Sequence, residues 1–340
     1  MLHFTGDICY TDNHFDIGFG VGSAIKRGNR LYDKIEKTPN DVWIGNFEGV
    51  CSDVSCHNDY HSKCFRLDTR FMDNLHLIDY YAIANNHVME HGGDAYCQMQ
   101  SVLNKNTKGC FGSKDKKSIV FEHDGKTIAI TAFSLRDDQC DNEPLYWAFP
   151  DLSDIEKEYK SLSADIKVAY IHWGVEFVNY PSIEQIRLAH WLVDLGYDLI
   201  IGMHPHVMQG FEIYKGKHIF YSLGNFLFNM SYEPTKYSAV IGFDVLTGCI
   251  TYNYIKIGED YCPAFIDAVD IPNEYKFDYL NTLVGKIQNP ENYAAIAQNE
   301  LKNYRKSHHR SFVKNIFRFD LGVAKNIVFD FIKRRLKNGN

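Results

Sequence analysis

An α/β fold, with two sheets packed face to face and helices outside them, is what this 340-residue chain predicts. Three observations point there. From the start to about residue 205, apolar β-branched runs alternate with segments of helical periodicity. From about 208 to 257 the pattern changes to short strands joined by turns. Several early apolar runs also stop abruptly at a carboxylate, an amide or an imidazole. Strands of an open α/β sheet read this way when their carboxyl ends carry a site.

The elements follow in order. Leu2-His3-Phe4-Thr5-Gly6-Asp7 is a short strand closing on a carboxylate, and Val42-Trp43-Ile44-Gly45-Asn46-Phe47-Glu48 closes on another. Tyr80 to Ala84 runs into Asn85-Asn86-His87, Tyr170-Ile171 into His172, and Ile200 to Met203 into His204-Pro205-His206. Helical periodicity lies near 24–37, 68–76, 91–104, 151–162 and 182–196. The last of these opens on Ser182 with Gln185 three positions on, a capping-box spacing, and stops at Gly196. Strands are expected at Gly210–Tyr214, Lys217–Ser222, Ala239–Val245 and Ile250–Ile257, giving a core unit over 1–257. Residues 258–273, with two Pro, read as a linker or crossover, and 274–340 as a helical extension with helices near 274–287, 290–306 and 312–336. The last helix places Phe312, Ile316, Phe319, Val323, Ile327 and Phe331 at helical spacing among Lys and Arg.

A hydrophobic content of 45% is ample for a core, and a net charge of −7 argues against nucleic acid as the main partner. The charge is uneven: residues 301–340 hold 11 Lys and Arg against 2 Asp and Glu, the rest 25 against 41. That basic tail either docks on its own domain or meets an anionic membrane surface, a membrane-bound synthase or an acidic polymer. A first strand beginning at Leu2 leaves no room for a leader, and no apolar run reaches the roughly 20 residues of a membrane span. Nine cysteines at irregular spacing suit a reducing compartment. The expected location is therefore cytoplasmic, with peripheral membrane contact through the tail.

The strand ends bring Asp7, Glu48, Asn86, His172, His204 and His206 forward as metal ligands. Imidazole with carboxylate suits Zn²⁺, Mn²⁺ or Fe, and six ligands exceed one tetrahedral shell, so two divalent ions are expected. His87 directly follows Asn86 and cannot point the same way from a regular strand, which frees it to protonate a leaving group. Glu176, four residues after His172, is either an acid that orients a ligand or an exposed loop acid. Asn225 either bonds a ligand or forms a turn, and Arg66 either faces an anionic substrate or is an ordinary surface residue. Cys51, Cys56, His57, His61 and Cys64 match no standard zinc spacing, so free thiols or a reactive loop are favoured over a structural zinc.

The blocks Gly6-Asp7, Asn46-Phe47-Glu48, Asn85-Asn86-His87 with Gly92, His172-Trp173-Gly174-Val175-Glu176, His204-Pro205-His206-Val207-Met208-Gln209-Gly210 and Tyr221-Ser222-Leu223-Gly224-Asn225-Phe226 occur in one order. In this the chain resembles the CapA family of bacterial capsule and poly-γ-glutamate synthesis proteins, similar to calcineurin-like metallophosphatases. The resemblance covers about residues 2–257. It implies a four-layer α/β/β/α sandwich with a dinuclear site, the six ligands above and His87 as the catalytic imidazole. Departures are Cys9 where a ligand His is usual, Phe47 for Leu and Glu90 for Asp. The resemblance implies a hydrolase acting on a phosphoester or amide-type bond in a surface-polymer intermediate or a phosphorylated small molecule. The other reading is a metal-stabilised accessory protein that binds the polymer or its synthase.

Overall fold

A computed structural model describes residues 1–136, 143–319, 322–326 and 329. Its first sheet contains β1 (Leu2–Ile8), β2 (Val42–Phe47), β5 (Tyr80–Ala82), β6 (Gly109–Phe111) and β13 to β16 (Asn225–Leu227, Tyr237–Phe243, Ile250–Ile257, Pro263–Ile266). A two-stranded pair, β3 (Val50–Cys51) and β4 (Arg66–Leu67), lies beside it. The second sheet contains β7 (Ser118–His123), β8 (Lys126–Ser134), β9 (Ile166–His172), β10 (Leu199–Met203), β11 (Met208–Tyr214) and β12 (Lys217–Leu223). The helices are α1 (Val21–Lys26), α2 (Gly93–Asn106), α3 (Leu152–Ser161), α4 (Ile183–Leu195), α5 (Phe277–Leu280) and α6 (Pro290–Asn315).

The order in the first sheet is β16-β15-β14-β1-β2-β5-β6, with β13 also on β1; in the second it is β11-β12-β10-β9-β8-β7. Strands β1, β2, β5 and β6 run parallel, as do β8, β9, β10 and β12, so their carboxyl ends share one edge in each sheet. Side-chain alternation sorts the layers. Ile130, Tyr170, Ile201 and Phe220 of the second sheet join Phe4, Ile44 and Ile241 of the first in one large core. Ala169, Ile171, Ile200 and Ile219 face the other way, onto Ile155 of α3 and Ile186, Ala189 and Leu192 of α4. With α2 against the first sheet, this is the expected four-layer α/β/β/α sandwich. The Tyr170 hydroxyl donates to the Thr5 carbonyl, 2.5 Å away, and so ties the two sheets beside the site.

Local details differ from the sequence reading. The helix expected over 24–37 stops at Lys26, because Gly28 follows in a left-handed conformation (φ +90°). Strands β6 to β8 were not anticipated individually; β7 and β8 form a hairpin on the tight Asp124-Gly125 turn. Within 258–273, read as a linker or crossover, Pro263–Ile266 pairs with β15 as an edge strand, where the missing Pro263 N–H costs nothing. The expected helices 290–306 and 312–336 are one helix through Asn315 and a break at Ile316–Arg318; part of the latter prediction lies outside the described residues.

The extension docks on its own core. Phe312, Phe319 and Val323 pack with Phe19, Phe65, Phe228 and Cys9, while Tyr304 stacks on Phe177 at 4.0 Å between ring centres. Among the described residues, no helix is long and apolar enough to cross a membrane.

Candidate metal centre

Strand ends from both sheets converge on one buried point. Close approach of β1 to the Leu223–Asn225 segment is what allows this: a Cβ on Gly6 would stand 1.7 Å from the Gly224 carbonyl oxygen. Asp7, fully buried, accepts from the Asn46 amide at 2.8 Å and from the His204 backbone N–H at 3.0 Å. Asn85 in turn donates to Asn46 at 3.0 Å and to the Phe47 carbonyl at 2.8 Å. His204 and His206 have φ of +96° and +58°, a backbone conformation that costs energy in a non-glycine residue and aims both rings inward around Pro205.

Glu48 lies at the centre. Both its carboxylate oxygens are buried and have no hydrogen-bond partner among the described residues. Its Oε1 is 3.6 Å from His87 Nε2, 3.9 Å from His172 Nε2 and 3.7 Å from His206 Nε2. Two sets of donor atoms share this carboxylate: Glu48 with His172 and His204, and Asp7 with Glu48 and His206, each set lying within 4.8 Å. Asn86 Oδ1 is 2.8 Å from His172 Nε2, beside the first set. Asn225 Oδ1 is 2.9 Å from His206 Nδ1 and fixes that ring.

Charge explains why such a site wants a cation. Burial raises the pKa of Asp7 and, helped by the Asp7 carboxylate, raises that of Glu48 well above the usual carboxylate range. Burial, then neighbouring imidazoles, pushes His172 and His204 well below theirs; burial lowers His206 against the pull of Asp7. The lowered pKa values favour neutral imidazoles, the form a metal ligand takes, and the oxygens of Glu48 and Nε2 of His204 have no hydrogen-bond partner among the described residues. The donor set fits divalent metal.

His87 stands apart from these groups. Its Nδ1 meets the Glu90 carboxylate, and Phe65 stacks on its ring at 4.3 Å. Burial alone would lower its pKa, but Glu90, then Glu176 and Asp7, outweigh that and raise it. An imidazole whose pKa is raised in this way, with Nε2 towards Glu48, is suited to proton donation.

Other expected residues fall differently. Glu176 acts on His87 and Glu48 through charge, while the His172 ring is held by Asn86, His204 and Asn46. Arg66 does not face the site: its guanidinium is spent on the Ser62 and Ser52 carbonyls and lies near Asp68. Cys9 bonds Thr11 at 3.0 Å, and burial raises the pKa of its thiol; it belongs to neither donor set. Cys51 and Cys64 are buried thiols, Cys56 is exposed, and His57 and His61 bond the Glu90 carbonyl and Asp59.

Three contributors escaped the sequence reading: Asn46 and Asn85, which hold Asp7, and Arg136. The Arg136 charge helps depress His172 and His204, and its buried Nε bonds none of the described residues. It follows the end of β8, so the same strand-end pattern could have found it.

These features define a buried carboxylate–imidazole cluster, a candidate metal centre, at the edge of an α/β/β/α sandwich. The chain belongs to the bacterial capsule synthesis protein family PGA_cap, whose sequence profile it matches over residues 2–230. It is 48% identical over 87 residues to the capsule biosynthesis protein CapA of Bacillus anthracis, a stretch covering 26% of this chain and 21% of that protein. It is 46% identical over 80 residues to the PGA biosynthesis protein CapA of Bacillus subtilis (strain 168), 24% of this chain and 21% of that one. The alignments thus span about a fifth of each relative's length. A solved structure titled a novel phosphatase, from Mycoplasma pneumoniae, overlays 75% of this chain and 92% of its own at TM-score 0.47 and 15% identity, a likeness that carries no functional weight.

Proposed function

We propose that this protein is a hydrolase of capsule, poly-γ-glutamate or exopolysaccharide synthesis, with two divalent ions in the centre just described. The observation that supports this best is Glu48: a fully buried carboxylate, unpartnered, shared by two sets of metal-type donors. Asp7, Glu48 and His206 would hold one ion, and Glu48, Asn86, His172 and His204 the other. Bound there, divalent ions supply Lewis-acid polarisation of a phosphoryl or acyl oxygen and acidify water. His87, held by Glu90 through Nδ1, keeps a proton at Nε2 for the leaving group. Arg136 adds a fixed positive charge for an anionic substrate. The substrate class is a phosphoester or amide-type bond in a surface-polymer intermediate or a phosphorylated small molecule.

The test is metal content by mass spectrometry, paired with hydrolysis of aryl phosphomonoesters, aryl phosphodiesters and γ-glutamyl amides in Mn²⁺. Near two metals per chain with turnover is expected. A protein that takes up no metal under any loading condition overturns the reading.

A second reading, a metal-stabilised accessory protein that contacts an anionic membrane surface, a polymer or a membrane-bound synthase, has one supporting observation. Phe317 is 98% and Val313 56% exposed, beside exposed Lys306, Arg310 and Lys314. Binding to anionic vesicles that is lost in Phe317→Ser, in a metal-loaded protein without turnover, would favour it.

A further inference from the structure

A second concave site lies where the C-terminal extension meets the core. It encloses about 190 Å³ and is lined by Tyr232, Tyr237, Tyr275 and Tyr279, with Glu274 and Glu300 among them. At roughly 30 Å³ per water, that is space for about six waters, or one small organic group. A polymer segment does not fit inside it.

The lining is chemically one-sided. Four phenol rings offer electron-rich faces, and Tyr237 and Tyr275 lie 5.1 Å apart between ring centres. Tyr232 donates its hydroxyl to Glu300 at 2.7 Å, which holds that carboxylate at the wall. No Lys or Arg is among the lining residues. Just outside, Lys256 Nζ already sits 5.3 Å from the Tyr237 ring, and Lys236 is paired with Glu233 and Glu259. Aromatic faces closed by carboxylates are the recognition chemistry of an organic cation: the rings attract it through their quadrupoles and the acids through charge. A phosphate or carboxylate inside would meet two glutamates and no Lys or Arg among the lining residues.

Position gives the cavity a consequence. Phe177, Val207 and Met208 complete its wall, and Phe177 lies 6.2 Å from the His206 ring. One aromatic ring therefore separates this cavity from the metal centre. Phe177 itself is held in a left-handed backbone conformation (φ +65°) and clamped by Tyr304 of α6. The extension thus builds one side of the cavity and braces the partition.

We propose that this cavity binds an organic ammonium group, either an amine borne by the substrate or a lipid headgroup, and seats it one ring away from the metal centre. Binding requires neither metal nor turnover, so a failed hydrolysis assay leaves the inference standing.

The experiment is calorimetric titration of the full chain with choline, L-lysinamide and the uncharged choline isostere 3,3-dimethylbutan-1-ol, with phosphatidylcholine vesicles as a fourth arm. At least one cation is expected to bind ten times or more tightly than the neutral alcohol. That affinity should fall about tenfold in Glu300→Gln, which keeps an acceptor for Tyr232, and in Tyr279→Ala, whose ring is 44% exposed and tolerant of removal. Vesicle binding lost in both variants names a lipid headgroup as the source; binding of the free amines alone names a substrate. Equal binding of cation and alcohol, or unchanged affinity in two variants with wild-type melting temperatures, overturns the proposal.

Discussion

Two regions of this chain are rich in metal-type side chains, and among the described residues one of them gathers its donor atoms into sets that could hold an ion. In the strand-end cluster, Asp7, Glu48, His172, His204 and His206 are all buried, and atoms of Glu48 and His204 have no partner among the described residues. In the 51–64 segment, His57, His61 and Cys64 each have a bond, to the Glu90 carbonyl outside the segment and to Asp59 and Tyr60 within it. Cys51 and Cys64 are buried as protonated thiols, raised by desolvation and nearby carboxylates. Residue types are alike, but their support differs. Parallel strands deliver the first set from a rigid sheet edge, with polar atoms left over; the loop and the adjacent Glu90 carbonyl give the second set its partners. Unsatisfied buried atoms, more than residue composition, mark the site.

The sharpest way to break this comparison is to remove a ligand. His204→Ala should lose bound metal and with it all turnover, read by metal analysis of the purified protein; full metal occupancy in that variant would refute the ligand set. Next in size is His87→Ala. With Nδ1 on Glu90 and no place in either donor set, it should keep metal and lose roughly 10²–10⁴-fold in turnover. Retained activity in the metal-loaded variant would remove His87 from the mechanism.

A third buried imidazole sharpens the point. His308 Nε2 on α6 is buried and unpartnered among the described residues, as His204 Nε2 is, but no carboxylate joins it in a donor set. Its neighbours are Phe15, Tyr304, Ser231 and His14. Burial, then the His14 ring, lowers its pKa to about 4 from 6.5. The depressed pKa means the docked state refuses a proton that the undocked chain accepts. Stability is therefore intact above pH 6.5 and falls as the pH drops towards 4, by about 3 kcal/mol in all. Hydrogen exchange should show α6 loosening before the sheets across that window, and His308→Phe should flatten the effect. Equal loosening of α6 and the sheets in wild type would refute it.

Much of the metal centre was legible because a buried strand has a plain signature: an apolar run that stops at a polar residue needs a reason to stop. Asp7, Glu48, His172 and His204, which the structure brings together, each end or follow such a run. What escaped depends on tertiary context. Arg136 lies two residues past the end of β8, a strand that the sequence pattern does not single out, and nothing in the sequence gives Asn46 and Asn85 a role until their bonds to Asp7 and Asn46 are seen. Arg66 was readable as a substrate contact only because sequence does not show the Ser52 and Ser62 carbonyls that occupy it. The docked extension was half legible: Phe312, Phe319 and Val323 have helical spacing, but their partners Phe19, Phe65 and Phe228 are remote in sequence. The amide chain itself makes a moderate prediction. Asn85→Ala leaves Asn46 and so Asp7 less fixed, and metal affinity should fall about 10–100-fold by competition with a chelator; unchanged affinity would make Asn85 a purely structural residue.

The smallest expected effect tests the other half of the comparison. Cys56 is exposed and its thiol reaches the Glu90 carbonyl at 3.8 Å, a contact that Ser can keep, while among the described residues the His61 side chain hydrogen-bonds its near neighbour Asp59, so this pair of changes spares the sheets and the ligand cluster. The double variant Cys56→Ser with His61→Ala should therefore keep its metal content and shift stability by no more than about 0.5 kcal/mol, the range of ordinary surface changes. His57 is best left out of that variant, because its bond to the Glu90 carbonyl links it to the partner of His87. A loss of one metal equivalent in the double variant would mean the loop gathers its donors when metal is offered. The rule that support outweighs composition would then fail where the two regions differ most.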